Sequence, residues 1–348
     1  MISGEFMFKY SIFNSEKLLA EIDLRSKQVL KKFRKITLSK ITHEELKHDM
    51  NFVNSYWNDQ FRPALTSFSC EAVGGKKEVV IDASIMVTLI AAGMGIHDDI
   101  IDHSDHKHFR KTLLGSQSFE HSIVVGDFLI VKALSSMRNL IKKKIPTEKI
   151  FKIIQAFESS FLEICEGEFM EISFKQKLNS NLDSYQEILW KFAADTEVCA
   201  KIGSILGNGS EKEIGALAKF GRLIGFNHRL MDDIKDCINL EGSLPHRLKF
   251  ESIPLPILHS AQYSKQNFNK IKAIMKHPIT PSDVGTLVEL CEDSLSFALV
   301  YDIAFKNFNK AKKQLHLLKS NKAVNILRFM VEQSLSNIAK YCTYYKLP

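Results

Sequence analysis

The chain has 348 residues, 45% of them hydrophobic and 25% charged, with 16 Gly and 8 Pro. That is an ordinary globular composition, enough for one large core or two smaller ones, and it contains no low-complexity tract or solenoid repeat. The net charge of +7 is spread along the sequence, so runs such as Lys142-Lys143-Lys144 read as solvated helix ends and not as a nucleic-acid stripe. At most it favours peripheral contact with an anionic lipid surface. The six cysteines form no CxxC pair and no secretory leader is evident, which leads us to expect reduced thiols in the cytoplasm.

The elements expected along the chain are helices throughout. No strand–Gly-rich loop–helix unit is present, which argues against a nucleotide-binding sheet. Residues 1–60 read as an N-terminal helical region, amphipathic from about Glu16 to Trp57, ahead of a helical body over 61–348; together they form one continuous domain. Ala83 to Ile96 carries no charged residue and is too short to span a bilayer, so it reads as a buried core helix. It leads directly into His97-Asp98-Asp99-Ile100-Ile101-Asp102. A second helical stretch, with Ile214, Leu217, Phe220, Ile224, Leu230 and Met231 at helical spacing, leads into Asp232-Asp233-Ile234-Lys235-Asp236. Prolines then punctuate 245–256, and helices resume to the C-terminus, broken near Pro278 and Pro281.

The repeated acidic motif carries the chemistry. In each copy the first and last carboxylates lie one helical turn apart on the same face. Two such clusters at the ends of buried helices face a cleft, and six unpaired carboxylates there are costly unless cations fill the space. Mg²⁺ takes oxygen ligands and is shared between a few carboxylates and substrate phosphates, so the pattern predicts a metal-bridged diphosphate. His97, His103, His106 and His108 crowd the first motif, but no Cys joins them and the second cluster is purely carboxylate, which favours a hard cation over Zn²⁺.

From about Phe61 to Leu258 the sequence resembles the trans-isoprenyl diphosphate synthases. The resemblance rests on Phe61-Arg62-Pro63, Glu71-Ala72-Val73-Gly74-Gly75, the two Asp-rich motifs, Val125-Gly126-Asp127-Phe128-Leu129, Gly167-Glu168, Lys191 and Gly221-Arg222-Leu223-Ile224-Gly225, all in order. It implies an all-α fold, a single large helical bundle of the isoprenoid synthase type around a central cavity. It also implies a homodimer, with a heteromer as the other option. Three Mg²⁺ ions with bound diphosphate would be held by Asp98, Asp102 and Asp232, with Asp99, Asp233 and Asp236 as supporting or conditional ligands. Arg62, Lys107, Lys191 and Arg229 become candidates for binding diphosphate. Glu168 and Glu171 are either helpers or surface glutamates. Small residues before the first motif, Ala92 and Gly93 with the flexible Met94, mark either a prenyl-tail pocket of at least fifteen to twenty carbons or a close helix contact.

The departures from the family are informative. The acceptor site for isopentenyl diphosphate has Asp59, Arg62, Ala91 and His108 where the family has Lys, Arg, His and Arg. The Phe-Gln pair before the second motif is His228-Arg229, and Phe192 follows Lys191 in place of Thr. The ionising half is complete and the acceptor half is eroded. This points to a class I terpene synthase that cyclises or water-quenches an allylic cation, with His108 as a candidate base. The alternatives are a chain-elongating prenyltransferase or a partner subunit of one.

Overall fold

The computed structural model describes residues 4–343, with side chains from 16 to 342; the extreme ends of both expected regions, 1–3 and 344–348, lie outside the described residues. It is helical throughout, as the periodicity requires: α1 (Gly4–Thr37), α2 (Glu44–Tyr56), α3 (Phe61–Ala72), α4 (Ile81–Ile101), α5 (Leu113–Ser116), α6 (Phe119–Lys142), α7 (Thr147–Phe174) and α8 (Leu182–Phe192). Then come α9 (Ala194–Leu206), α10 (Glu211–Cys237), α11 (Leu244–Phe250), α12 (Leu255–Tyr263), α13 (Lys265–Ile274), α14 (Pro281–Asp293), α15 (Ser296–Leu315) and α16 (Lys322–Thr343). Among the described residues the strands are confined to one hairpin, β1 (His106–Lys107) paired with β2 (Arg110–Lys111).

Helix starts follow local chemistry. Ser210 and Thr280 make reciprocal capping boxes with Glu213 and Asp283, and Ser118 and Asn181 accept from backbone N–H groups three residues on. The prolines of 245–256 do not break one helix repeatedly. Pro245 and Pro256 sit in the first turns of α11 and α12, where a missing N–H costs nothing.

Two apolar clusters make the core. One gathers α1–α4, α6, α9 and the first half of α10, with Phe33, Phe68, Met86 and Phe220 fully buried. The other gathers α8, α12, α14, α15 and the second half of α10, with Leu230, Ile234 and Leu255. The N-terminal helices therefore share the first core with the body. Helix α10 runs through both cores, and its acidic motif emerges at the far end of the second.

Helix α4 is longer than its charge-free stretch. Lys77–Ile101 is long and apolar enough to cross a membrane, yet 78% of its most apolar window is buried inside the protein, as for a core helix. Its tightest contact is with α6: a Cβ on Gly93 would lie 2.7 Å from the Gly126 carbonyl oxygen and 2.8 Å from the Ile130 side chain. The small residues at 92 and 93 thus serve packing. Ala92 is fully buried, and the cavity described below is lined from this helix by Ala91, Met94 and Gly95. Of the expected tail-pocket residues only Met94 faces the cavity. Gly93→Ala should destabilise the fold by about 1–3 kcal/mol through overpacking, read as a lowered urea midpoint at unchanged slope.

Candidate active site

Helices α4 and α10 end at a single cavity of about 1660 Å³, and it is lined by Asp98, Asp102, Asp232, Asp233 and Asp236. The hairpin after α4 supplies the first counterion. Its two-residue turn puts His108 and Phe109 at φ of 51° and 58°, the left-handed pair of a type I′ turn. This aims Lys107 back at the motif, where its ammonium lies 2.8 Å from Asp98 and 2.9 Å from Asp99. Asp102 meets a second ammonium: Lys175, at the end of α7, donates to the Ile101 carbonyl at 3.0 Å and to the Asp102 carboxylate at 3.3 Å.

The second motif is less open than its sequence suggests. Both oxygens of Asp233 are occupied, accepting from the Tyr185 hydroxyl at 2.9 and 3.0 Å, Arg247 at 3.0 Å and the Leu255 N–H at 3.1 Å. Asp236 accepts from Arg247 at 2.6 Å and from Ser243 at 2.5 Å. The metal-ligand expectation for Asp233 is therefore corrected, because its lone pairs tie α10 to α8, α11 and α12. Asp232, with a side chain 53% exposed and the Lys235 ammonium 3.6 Å away, is the most exposed carboxylate of this motif. Helix α11 spans the two motifs with adjacent residues: Arg247 grips the second, while His246 Nε2 donates to the Asp102 carbonyl at 2.9 Å.

Burial and mutual repulsion shift these carboxyls. Burial, then the charges of Asp98, Glu251 and Glu171, pushes Asp102 up to about 9. Burial, then Asp98 and Glu171, pushes Glu168 to about 8. Glu251 is raised to about 6 and Asp233 to about 7, each mainly by burial. Asp98 is opposite in sign: burial pushes it up, but Lys107, with Arg229 and Arg247, outweighs burial and holds it below the usual carboxylate range. The donors are all hard oxygens, and Lys107 and Lys175 stand where cations are wanted, so the chemistry fits Mg²⁺. Among the described residues no group of three potential ligands could hold a metal ion without help.

Other expected residues are placed differently. Lys191 does not line the cavity; its ammonium pairs with Glu166 at 2.8 Å, while Phe192, one residue and about 100° further round α8, faces in. Arg62 reaches the cavity but is held by Asp59 at 3.2 Å and Asp195 at 2.5 Å. Arg229 also lines the cavity, 3.9 Å from Asp195 and with its guanidinium 5.3 Å from the Phe192 ring centre. His108 lines the cavity but is exposed, with its Nδ1 paired to Glu241. His97 and His103 diverge, His97 lying against Gly126 and His103 against the Phe250 ring, so the histidines build no metal centre. Glu168 and Glu171 line the cavity and are not surface residues. Sequence reading missed Tyr185, Lys175 and Arg247. Only Arg247 carried a signal, as part of a basic pair just beyond the second motif.

Residues 51–291 match the family model described as "Polyprenyl synthetase", and the chain belongs to that family. It is 29% identical over 209 residues to the short chain isoprenyl diphosphate synthase of Methanothermobacter thermautotrophicus, covering 60% of this chain and 63% of that protein. It is 28% identical over 194 residues to the geranylgeranyl diphosphate synthase of Methanosarcina mazei, covering 56% and 59%. These matches thus span less than two thirds of either relative. The geranylgeranyl pyrophosphate synthetase structure from Pyrococcus horikoshii superposes with a TM-score of 0.83 at 25% identity, covering 92% of this chain and 99% of that one.

The raised pKa of Asp102 makes a stability prediction. Its carboxyl ionises near pH 4 when unfolded and near 9 when folded, so the folded state loses stability as pH rises across that window. Asp102→Asn removes the loss. Without Mg²⁺ the variant should melt higher than the parent by about 2 °C or more at pH 8, with the gap closing near pH 4. Thermal melts across pH check this.

Proposed function

We propose that the protein uses Mg²⁺ to ionise an allylic prenyl diphosphate and transfers the prenyl group to isopentenyl diphosphate, as a chain-elongating prenyl diphosphate synthase. The observation that carries this is the meeting of two acidic helix ends at one cavity whose lining also includes the apolar side chains of Met94, Phe161, Ile164 and Phe192. Relatives named as isoprenyl and geranylgeranyl diphosphate synthases favour elongation over the cyclising reading.

Asp98, Asp102 and Asp232 would hold the metal, with Asp99 and Asp236 in support. Mg²⁺ bound there neutralises the departing diphosphate as a Lewis acid and orients it. Lys107 and Arg229 add positive charge to the same group, Lys107 as a compact ammonium released from the carboxylates when cations arrive. Beyond the motifs, Met94, Phe161, Ile164 and Phe119 wall the space for the tail, which suits fifteen to twenty carbons or more. At the acceptor end two buried N–H groups, Arg62 Nε and Trp57 Nε1, have no partner, as donors to a polar ligand would.

A second reading keeps ionisation but drops the acceptor, as a terpene synthase. What favours it is the pairing of Arg62 with both Asp59 and Asp195, which cancels the charge an acceptor diphosphate needs. Exposed Val124, Val131 and Leu134 on α6 support a homodimer packed through helices. Six free thiols suit a cytoplasmic setting.

Incubation of the purified protein with Mg²⁺ and allylic diphosphates of ten to twenty-five carbons, with and without isopentenyl diphosphate, separates these readings. Longer prenyl diphosphates are expected, and only when isopentenyl diphosphate is present. Hydrocarbon or alcohol formed in its absence would establish the second reading instead, and silence in both sets would leave a partner subunit. In the same assay Lys107→Met should slow diphosphate release by roughly a hundredfold (about 3 kcal/mol). Lys191→Ala should change it less than about twofold, since its ammonium is paired with Glu166 and does not line the cavity.

A further inference from the structure

We infer that Phe192 is a catalytic residue whose ring face stabilises the allylic cation, taking it up where the guanidinium of Arg229 rests in the free protein. The inference rests on the proposed ionisation and adds to it the group that meets the positive charge. The C1–O bond breaks with both electrons leaving on the diphosphate oxygen, and the charge spreads over C1 and C3. It is quenched when the acceptor double bond gives its π pair to C1, and the proton lost from the adduct passes to the released diphosphate.

Four observations place the ring. Phe192 lines the cavity, while its neighbour Lys191 points away to Glu166, so no ammonium from α8 competes for the charge. The ring is backed by α7: a Cβ on Gly167 would lie 3.4 Å from it, so it has little room to retreat. The ring already carries a cation, with the Arg229 guanidinium carbon 5.3 Å from its centre, within the range over which an aromatic quadrupole attracts positive charge. Finally, Arg229 stands one helical turn before Asp232, which sets the ring at the level of the acidic motifs and not in the depth of the tail pocket. When diphosphate binds, Arg229 has a stronger partner in it, and the vacated face meets the forming cation.

The test uses the full-length protein with Mg²⁺ and diphosphate, and two probes of the prenyl length released fastest. One is a thiolo-diphosphate that cannot ionise. The other is an aza analogue bearing an ammonium at the cationic carbon. Phe192→Leu should weaken the aza analogue by roughly tenfold to thirtyfold, leave the thiolo-diphosphate within about twofold, and slow single-turnover diphosphate release in proportion. Phe192→Tyr should retain all three. Equal weakening of both probes, or of neither, while the wild type turns over, would overturn the role of the ring alone. No diphosphate release by the wild type from any allylic substrate would instead refute the ionisation, and the inference with it.

Discussion

The structure is organised around an electrostatic debt: carboxylates from two helices, α4 and α10, are driven into one partly dry cavity with too few cations to match them. Like charges a few ångströms apart repel by several kcal/mol where water is scarce. The protein meets this in two ways. Some carboxylates are satisfied permanently, as Asp233 is by Tyr185, Arg247 and a backbone N–H. Others stay protonated or lean on a movable ammonium, as Asp102 does with Lys175 and Asp98 with Lys107. Only the second kind remains available to metal ions, so the apparent symmetry of the two motifs is not symmetry of use.

That division also explains how short α11 comes to hold both motifs. Neighbouring side chains on a helix point about 100° apart, so His246 and Arg247 can reach opposite sides of the cavity from one rigid turn. One fixes the carbonyl at the end of the first motif and the other fixes two carboxylates of the second. The loops flanking α8 and α12 are themselves pinned by a bridge between Lys175 and Ser252. The separation of the motifs is thus set by covalent and hydrogen-bonded geometry before any cation arrives, which is the preorganisation that charge stabilisation requires.

The helical fold and the pairing of motifs were legible because apolar periodicity and acidic spacing are local signals. Which face of a helix a residue shows is decided by packing. Lys191 and Phe192 differ by one position, and nothing local says that the lysine faces outward. In sequence Gly93 fits a pocket floor and a helix contact equally well; the Gly126 backbone packed against it decides for the contact. Asp233 belongs to the motif by spacing but to the scaffold by its partners, and those partners lie on α8, α11 and α12, far away in sequence.

The acceptor end turns on the same kind of competition. Arg62 is held by Asp59 and Asp195, and the charges of these two carboxylates outweigh burial to keep the guanidinium charged and engaged. An incoming diphosphate gains little from a cation so occupied unless Asp195 finds another partner. Arg229 is the cation that already borders it, at 3.9 Å. If Arg229 closes that gap, Arg62 is freed for an acceptor; if Arg229 goes to the leaving diphosphate, Arg62 stays neutralised. A guanidinium can bridge two anions, as Arg247 bridges Asp233 and Asp236, but it then divides its charge between them. Elongation is therefore favoured where the two events are ordered, or where Lys107 and the metal ions hold the leaving group without Arg229. A cation quenched by its own double bonds or by water makes no such demand. The partner Arg229 takes in the bound state is thus the physical difference between the two readings of this site.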